Sequence, residues 1–190
     1  MTSTEIHIKN AFLDLYMDNY FNKITVKDVC QKANISRATF YVYYEDLESL
    51  LHEIENEILD YISSVFGMWK YVSLDKVEYS QPFPMFLDIL NYVYKNIKAY
   101  RALLGYYGNN SFITKYNRLV KKSCYNKWIE EGYHEDDAEV LACLSAGAII
   151  NICTTWVLNG FSKNKDVSPE RIAILTTNAI ASLRRMKLNK

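Results

Sequence analysis

From Asp46 to Trp69 the apolar residues Leu47, Leu50, Leu51, Ile54, Ile58, Ile62, Val65 and Trp69 recur every three or four positions. That spacing marks one face of an α-helix, and about 24 residues at 1.5 Å each make it roughly 36 Å long. A helix of that reach predicts an all-α chain, with the long element joining a small N-terminal bundle to everything downstream. Turn residues agree. Three prolines and six glycines in 190 residues are too few, and too irregularly placed, for an all-β sandwich or barrel. Apolar residues at 49% are ample for a core and argue against disorder.

Helical signals continue on both sides, giving about nine helices. Thr2-Ser3-Thr4-Glu5 has the spacing of a capping box, followed by Ile6, Ala11, Phe12, Leu15 and Tyr16 at helical intervals. A second helix starts at Thr25, with Asp28 favouring its N-terminus and Val26, Val29, Cys30 and Ala33 on one face. Residues 71–83, ending in Pro82-Phe83-Pro84, read as a loop. Helices are expected at about 84–97, 98–107, 111–131 and 136–159, with breaks at Gly108-Asn109-Asn110, 132–135 and Asn159-Gly160. Ser168-Pro169-Glu170 then supplies an N-cap, a proline at the first helical position and an acid in the first turn, opening a last helix to about 186.

The stretch KANISRATFYVYYEDLESLL, residues 32–51, carries the functional signal. Asn34 tolerates the left-handed conformation that a helix end often needs, so helix two should stop there. Ser36 can cap a third helix by accepting from the Thr39 amide. Phe40 and Tyr44, four apart, then face the bundle, while Tyr41 and Tyr43 point elsewhere beside Arg37. A supporting helix followed by helix, three-residue turn and helix is the plan of a DNA-reading helix-turn-helix.

These residues resemble the N-terminal signature of the TetR family of transcriptional regulators. The likeness covers about residues 6–55: Thr25, the small Ala33, the Ile-Ser turn, Thr39-Phe40-Tyr41, the Tyr43-Tyr44 pair and the closing leucines fall in register. It departs at Asn34, where the family usually has glycine, and at Leu47, where lysine is frequent. The resemblance implies that Ser36, Arg37, Ala38 and Thr39 open a helix that enters the major groove, Arg37 donating to guanine. It also implies phosphate contacts from Thr25, Tyr41 and Tyr43, with Lys27 and Lys32 as further candidates. On this plan residues 1–48 form the DNA-binding domain and 49–190 a helical domain for effector binding and dimerisation.

For that second domain the small residues Ala142, Ser145, Ala146, Gly147 and Ala148, and the apolar Ile172, Ile174, Leu175, Ala179, Ile180 and Leu183, suit a homodimer built from the last two helices. The expected effector is a small apolar or aromatic molecule. Trp69, Tyr92, Tyr100, Phe112, Trp128 and Trp156 are the candidate lining residues. TWVLNGFSKNKDVSPERI further resembles the end of the C-terminal domain in a TetR subgroup that includes regulators of dihydroxyacetone kinase operons.

Other classes are less well supported. His7, His52 and His134 stand far apart and none pairs with a nucleophile, no glycine-rich phosphate loop occurs, and catalysis is not expected. Cys30, Cys124, Cys143 and Cys153 make no metal spacing, so no cofactor is expected. No secretory leader or bilayer-spanning run is read, giving a reduced cytoplasmic protein without membrane contact as the expectation. Net charge is zero, and residues 1–44 hold five basic groups against four acidic ones. That weak charge, with Leu47, motivates the alternative of a ligand-responsive co-regulator of the same fold that binds DNA weakly or not at all.

Overall fold

Thr2 begins the first helix as expected: its hydroxyl accepts from the Glu5 amide, and the Glu5 carboxylate accepts from the Thr2 amide at 2.7 Å. The structure, a computed structural model, describes residues 2–70, 72, 81–159 and 168–184, without the side chains of Trp69, Ala181, Leu183 and Arg184. Among these residues nine α-helices occur and no strand: α1 (Ser3–Tyr16), α2 (Val26–Ala33), α3 (Arg37–Tyr43), α4 (Leu47–Trp69), α5 (Pro84–Lys95), α6 (Ile97–Leu104), α7 (Asn110–Glu130), α8 (Glu135–Asn159) and α9 (Pro169–Arg184). One 3-10 turn, Phe21–Lys23, joins α1 to α2 and was not foreseen in the sequence. The expected 71–83 loop and the stop at Gly160 fall largely outside the described residues.

The chain divides into two compact units. The first comprises residues 1–60 and 96–113, so it reaches past the 48/49 boundary of the sequence reading and takes in α6. Its core is built on α1, which packs on α2 and α6, with Ile8, Phe12, Phe40, Leu50 and Tyr100 fully enclosed. Two polar links fasten α1 outward. Lys9 Nζ lies 2.6 Å from both Glu53 and Glu57 of α4, and Lys98 of α6 pairs with Asp14 at 2.7 Å.

The second unit comprises 61–95 and 114–190, and within it α5, α8 and α9 pack on one another. Acids Glu135, Asp136 and Asp137 fill the first turn of α8, where the helix dipole favours them. The backbone amide of Arg171 donates to the Ser168 hydroxyl at 3.3 Å, the cap expected for α9. Phe83, just before α5, donates its amide to Thr177 of α9 at 2.8 Å, fixing where α5 starts.

One expectation needs correction. α8 contains an 18-residue window of mean hydropathy 1.8 and is long and apolar enough to cross a membrane by length and composition. The stretch is apolar on average rather than residue by residue, because Ser145, Asn151, Thr154 and Thr155 interrupt it. In the fold Ala138, Ala142, Ala146, Ile149, Cys153 and Val157 of this helix are core.

Candidate nucleic-acid interface and effector cavity

Thr25 starts α2 with a capping box. Its amide and hydroxyl donate to the Asp28 carboxylate at 2.9 and 2.5 Å, and the Asp28 amide donates to Thr25 Oγ1 at 3.3 Å. These bonds hold the Asp28 carboxyl below its usual range. α2 ends on Asn34, the one described non-glycine residue with positive φ, at φ 54 and ψ 49. The Ile35 amide reaches back to the Cys30 carbonyl at 3.0 Å and that of Asn34 to Gln31 at 3.3 Å. This pair of bonds is a Schellman closure, and it satisfies carbonyls that a helix end leaves open.

Chain direction reverses here and α3 begins at once. Ser36 accepts from the Thr39 amide at 3.0 Å and shares a 2.8 Å hydroxyl contact with Thr39. Phe40 and Tyr44 are buried, 5.8 Å apart between ring centres. The Tyr44 hydroxyl donates to Glu53 at 3.2 Å, so the end of α3 is tied to α4 through a carboxylate that also holds Lys9. Burial, then the Glu53 charge, push the Tyr44 phenol upward.

What remains uncovered is one face of α3. Arg37, Ala38, Tyr41 and Val42 are exposed, Thr39 and Tyr43 partly so. Thr25 and Lys27 are exposed at the start of α2, in the same unit. Val42, 77% exposed, was not expected on this face; its signal was its position four residues after Ala38. Charge at this surface also differs from the sequence count. In residues 1–44 the exposed charged groups are Lys23, Lys27, Lys32 and Arg37 against Asp18, while Lys9 is held by Glu53 and Glu57, Asp14 by Lys98, and Glu5 and Asp28 by their helix caps.

In the second unit a cavity of about 230 Å³ opens among α4, α5, α7, α8 and α9. Phe66, Phe83, Phe86, Cys124, Trp128 and Ile149 form much of its wall, with Ser63, Ser123 and Asn126 beside them. Several polar groups of the wall bond to one another or to backbone, and Lys70 pairs with Glu130 at 3.5 Å. Trp128 Nε1 donates to Ser145 Oγ at 2.9 Å, and Ser145 Oγ donates to the Leu141 carbonyl. Lys127 Nζ donates to the carbonyls of Val72 and Lys70 at 2.6 and 3.0 Å and lies 3.0 Å from Glu131. Burial pushes the Cys124 thiol up to about 12, which keeps it protonated and unreactive.

Of the six aromatic residues expected to line an effector site, Trp128 borders this cavity. Tyr100 and Phe112 are enclosed in the first unit instead. Tyr92 stacks on Tyr61 at 3.6 Å and Trp156 lies parallel to Tyr94 at 6.0 Å. The Trp69 side chain lies outside the described residues. Phe66, Phe83 and Phe86 of the wall are not among those six, since one aromatic in a periodic helix looks like another until its neighbours are known.

Comparison with known proteins agrees with this geometry. Residues 80–180 match the family model TetR_C_8, the transcriptional regulator C-terminal region. The HTH-type dhaKLM operon transcriptional activator DhaS of Lactococcus lactis is 28% identical over 168 residues, 85% of this chain and 83% of that protein. Among solved structures, a transcriptional regulator from Aquifex aeolicus aligns over 97% of this chain and 99% of its own with a TM-score of 0.65 at 15% identity. A TetR transcriptional regulator from Streptococcus agalactiae aligns over 93% of both chains, with a TM-score of 0.58 at 24% identity. With a helix-turn-helix at its start and a family match over half its length, the chain belongs to the TetR family of transcriptional regulators.

Proposed function

We propose that this protein works as a homodimer which places one α3 in each half of a near-palindromic operator and leaves DNA when a small effector fills the cavity. The carrying observation is that Phe40 and Tyr44 anchor α3 from behind while Arg37, Ala38 and Tyr41 face outward. Arg37 suits guanine, which it can meet with two hydrogen bonds. Ser36 and Thr39 satisfy each other at the helix start and set its angle, while Thr25, Lys27, Tyr41 and Tyr43 suit phosphate. Dimerisation falls to α8 and α9, whose exposed faces carry Val140, Leu144, Leu158 and Leu175.

The cavity suits a small, largely apolar molecule, since Phe66, Phe83, Phe86, Trp128 and Ile149 form much of its wall, with Ser63, Ser123 and Asn126 beside them to meet a polar group. Release follows if the effector prefers a conformer in which the two α3 helices no longer fit the operator; a hundredfold release needs about 2.7 kcal/mol of differential affinity. The protein acts in the cytoplasm, on DNA, without catalysis. Repression by occupying a promoter is the simplest outcome. Activation is the second reading, favoured by the relative whose name is that of an activator.

Selection of duplexes from a random pool by the purified protein tests the proposal. A regulator enriches a near-palindrome, with affinity falling steeply as salt rises. Arg37→Ala then weakens the enriched site far more than random duplex, whereas Tyr41→Phe weakens both alike. Equal losses for Arg37→Ala would refute its base-reading role. Failure to enrich any sequence would instead favour a co-regulator that works through another protein.

A further inference from the structure

The outward face of α3 has two rows, Arg37 with Tyr41 and Ala38 with Val42, each pair one helical turn apart. Single exposed valines are ordinary on protein surfaces. Val42 is distinguished by its company: it stands 77% exposed on a seven-residue helix whose opposite side, Phe40, is wholly buried. A valine there has no donor for a phosphate and no bond to make with a polar base edge. Its partner in the row, Ala38, is equally apolar and small enough to let the helix approach closely. The reading face is therefore divided, polar along Arg37 and Tyr41, apolar along Ala38 and Val42.

B-DNA offers one apolar group on its major-groove edges, the C5-methyl of thymine. We propose that Val42, with Ala38 beside it, is a specificity-determining residue that reads a thymine methyl close to the base met by Arg37. This rests on α3 being the reading helix, as proposed above. Polar contacts in the other row then fix register, and the apolar row adds discrimination at a neighbouring step. Burying one methyl group corresponds to about a fourfold change in affinity.

The experiment uses the full chain and the site enriched from the random pool. Each thymine of that site is replaced in turn by deoxyuridine, which removes the methyl and nothing else. Wild-type protein should lose about three- to fivefold at one thymine in each half-site. Val42→Ser should bind the thymine and deoxyuridine duplexes equally, while 7-deazaguanine at the guanine read by Arg37 costs both proteins the same. Unchanged thermal unfolding of Val42→Ser confirms that only the surface was altered. A site indifferent to every thymine methyl, or discrimination retained by Val42→Ser, overturns this assignment alone. A pool that enriches no site overturns the operator reading, and this assignment with it.

Discussion

The side-chain amide of Asn109 donates to the buried carboxylate of Glu55 across 2.7 Å, joining the corner between α6 and α7 to α4. Asn109 also opens α7, its side-chain oxygen accepting from the Ser111 amide at 2.8 Å. One residue therefore ends a loop, starts a helix and answers an enclosed charge. Asn109→Ala should cost about 1.5–3 kcal/mol, the usual loss when a hydrogen bond to a charged group is removed. Urea unfolding at neutral pH measures it, and a loss below about 0.5 kcal/mol would mean that Glu55 does not depend on this partner.

Gly108 makes that corner possible. A Cβ placed on it would lie 2.1 Å from the carbonyl oxygen of Leu103 and 2.9 Å from that of Gly105, both backbone atoms. Gly108→Ala must therefore move the chain that presents Asn109. The expected outcome is a loss of about 1–3 kcal/mol, the range for overpacked sites. Combined with Asn109→Ala, the two losses should fall well short of additive, because the first already displaces what the second removes.

At Asn34 the backbone is left-handed, with φ 54. Glycine reaches this region freely, asparagine with little strain, and a β-branched residue only at a cost. Asn34→Gly should leave stability within about 1 kcal/mol of the parent, and Asn34→Val should lose about 1–2 kcal/mol. Thermal unfolding of the two variants decides between this view and one in which the Asn34 side chain carries the turn.

Much of this half was legible because its determinants are local. Thr25 and Asp28, Asn34, and Ser36 with Thr39 each act within three residues, so their spacing announced the caps and the turn. The cavity was not legible for the opposite reason. Whether Phe86 or Tyr92 faces a hollow depends on which helices surround α5, and Tyr100 and Phe112 are as aromatic as Trp128 yet belong to a different unit. The reach of the first unit into 96–113 was equally hidden, since Asp14–Lys98 and Glu55–Asn109 join residues far apart in sequence.

High pH should loosen the first unit. Burial, aided by the Glu55 charge, raises the Tyr16 phenol to about 12. Burial alone would lower the Lys9 ammonium, but its bonds to Glu53 and Glu57 outweigh that and hold it above the ordinary lysine value. In both cases the folded protein keeps a proton that the unfolded chain releases sooner. The stability they contribute is complete below the unfolded values and is lost as pH climbs through the folded ones. Between about pH 10 and 12 Tyr16 adds a slope of about 1.4 kcal/mol per pH unit, and Lys9 adds to the fall above the ordinary lysine value. Tyr16→Phe should flatten the fall by one proton's worth; an unchanged slope in urea titrations across this range would clear Tyr16 of the effect.

The proposed dimer makes the last prediction. Leu144 and Leu158 stand two heptads apart on α8, exposed together with Val140, and Leu175 is exposed on α9. Leu144→Glu with Leu175→Glu would place four carboxylates in a contact between two copies, a desolvation that the remaining apolar area cannot offset. Neither residue is core in the single chain, so each subunit should keep its own fold and its helical circular dichroism. Sedimentation should then show a monomer where the parent is a dimer. Binding to the full palindrome should fall to the level of a half-site, because the gain from tethering two reading heads disappears. A parent protein that is already monomeric at micromolar concentration, or a double variant that still sediments as a dimer, would move the interface away from α8 and α9.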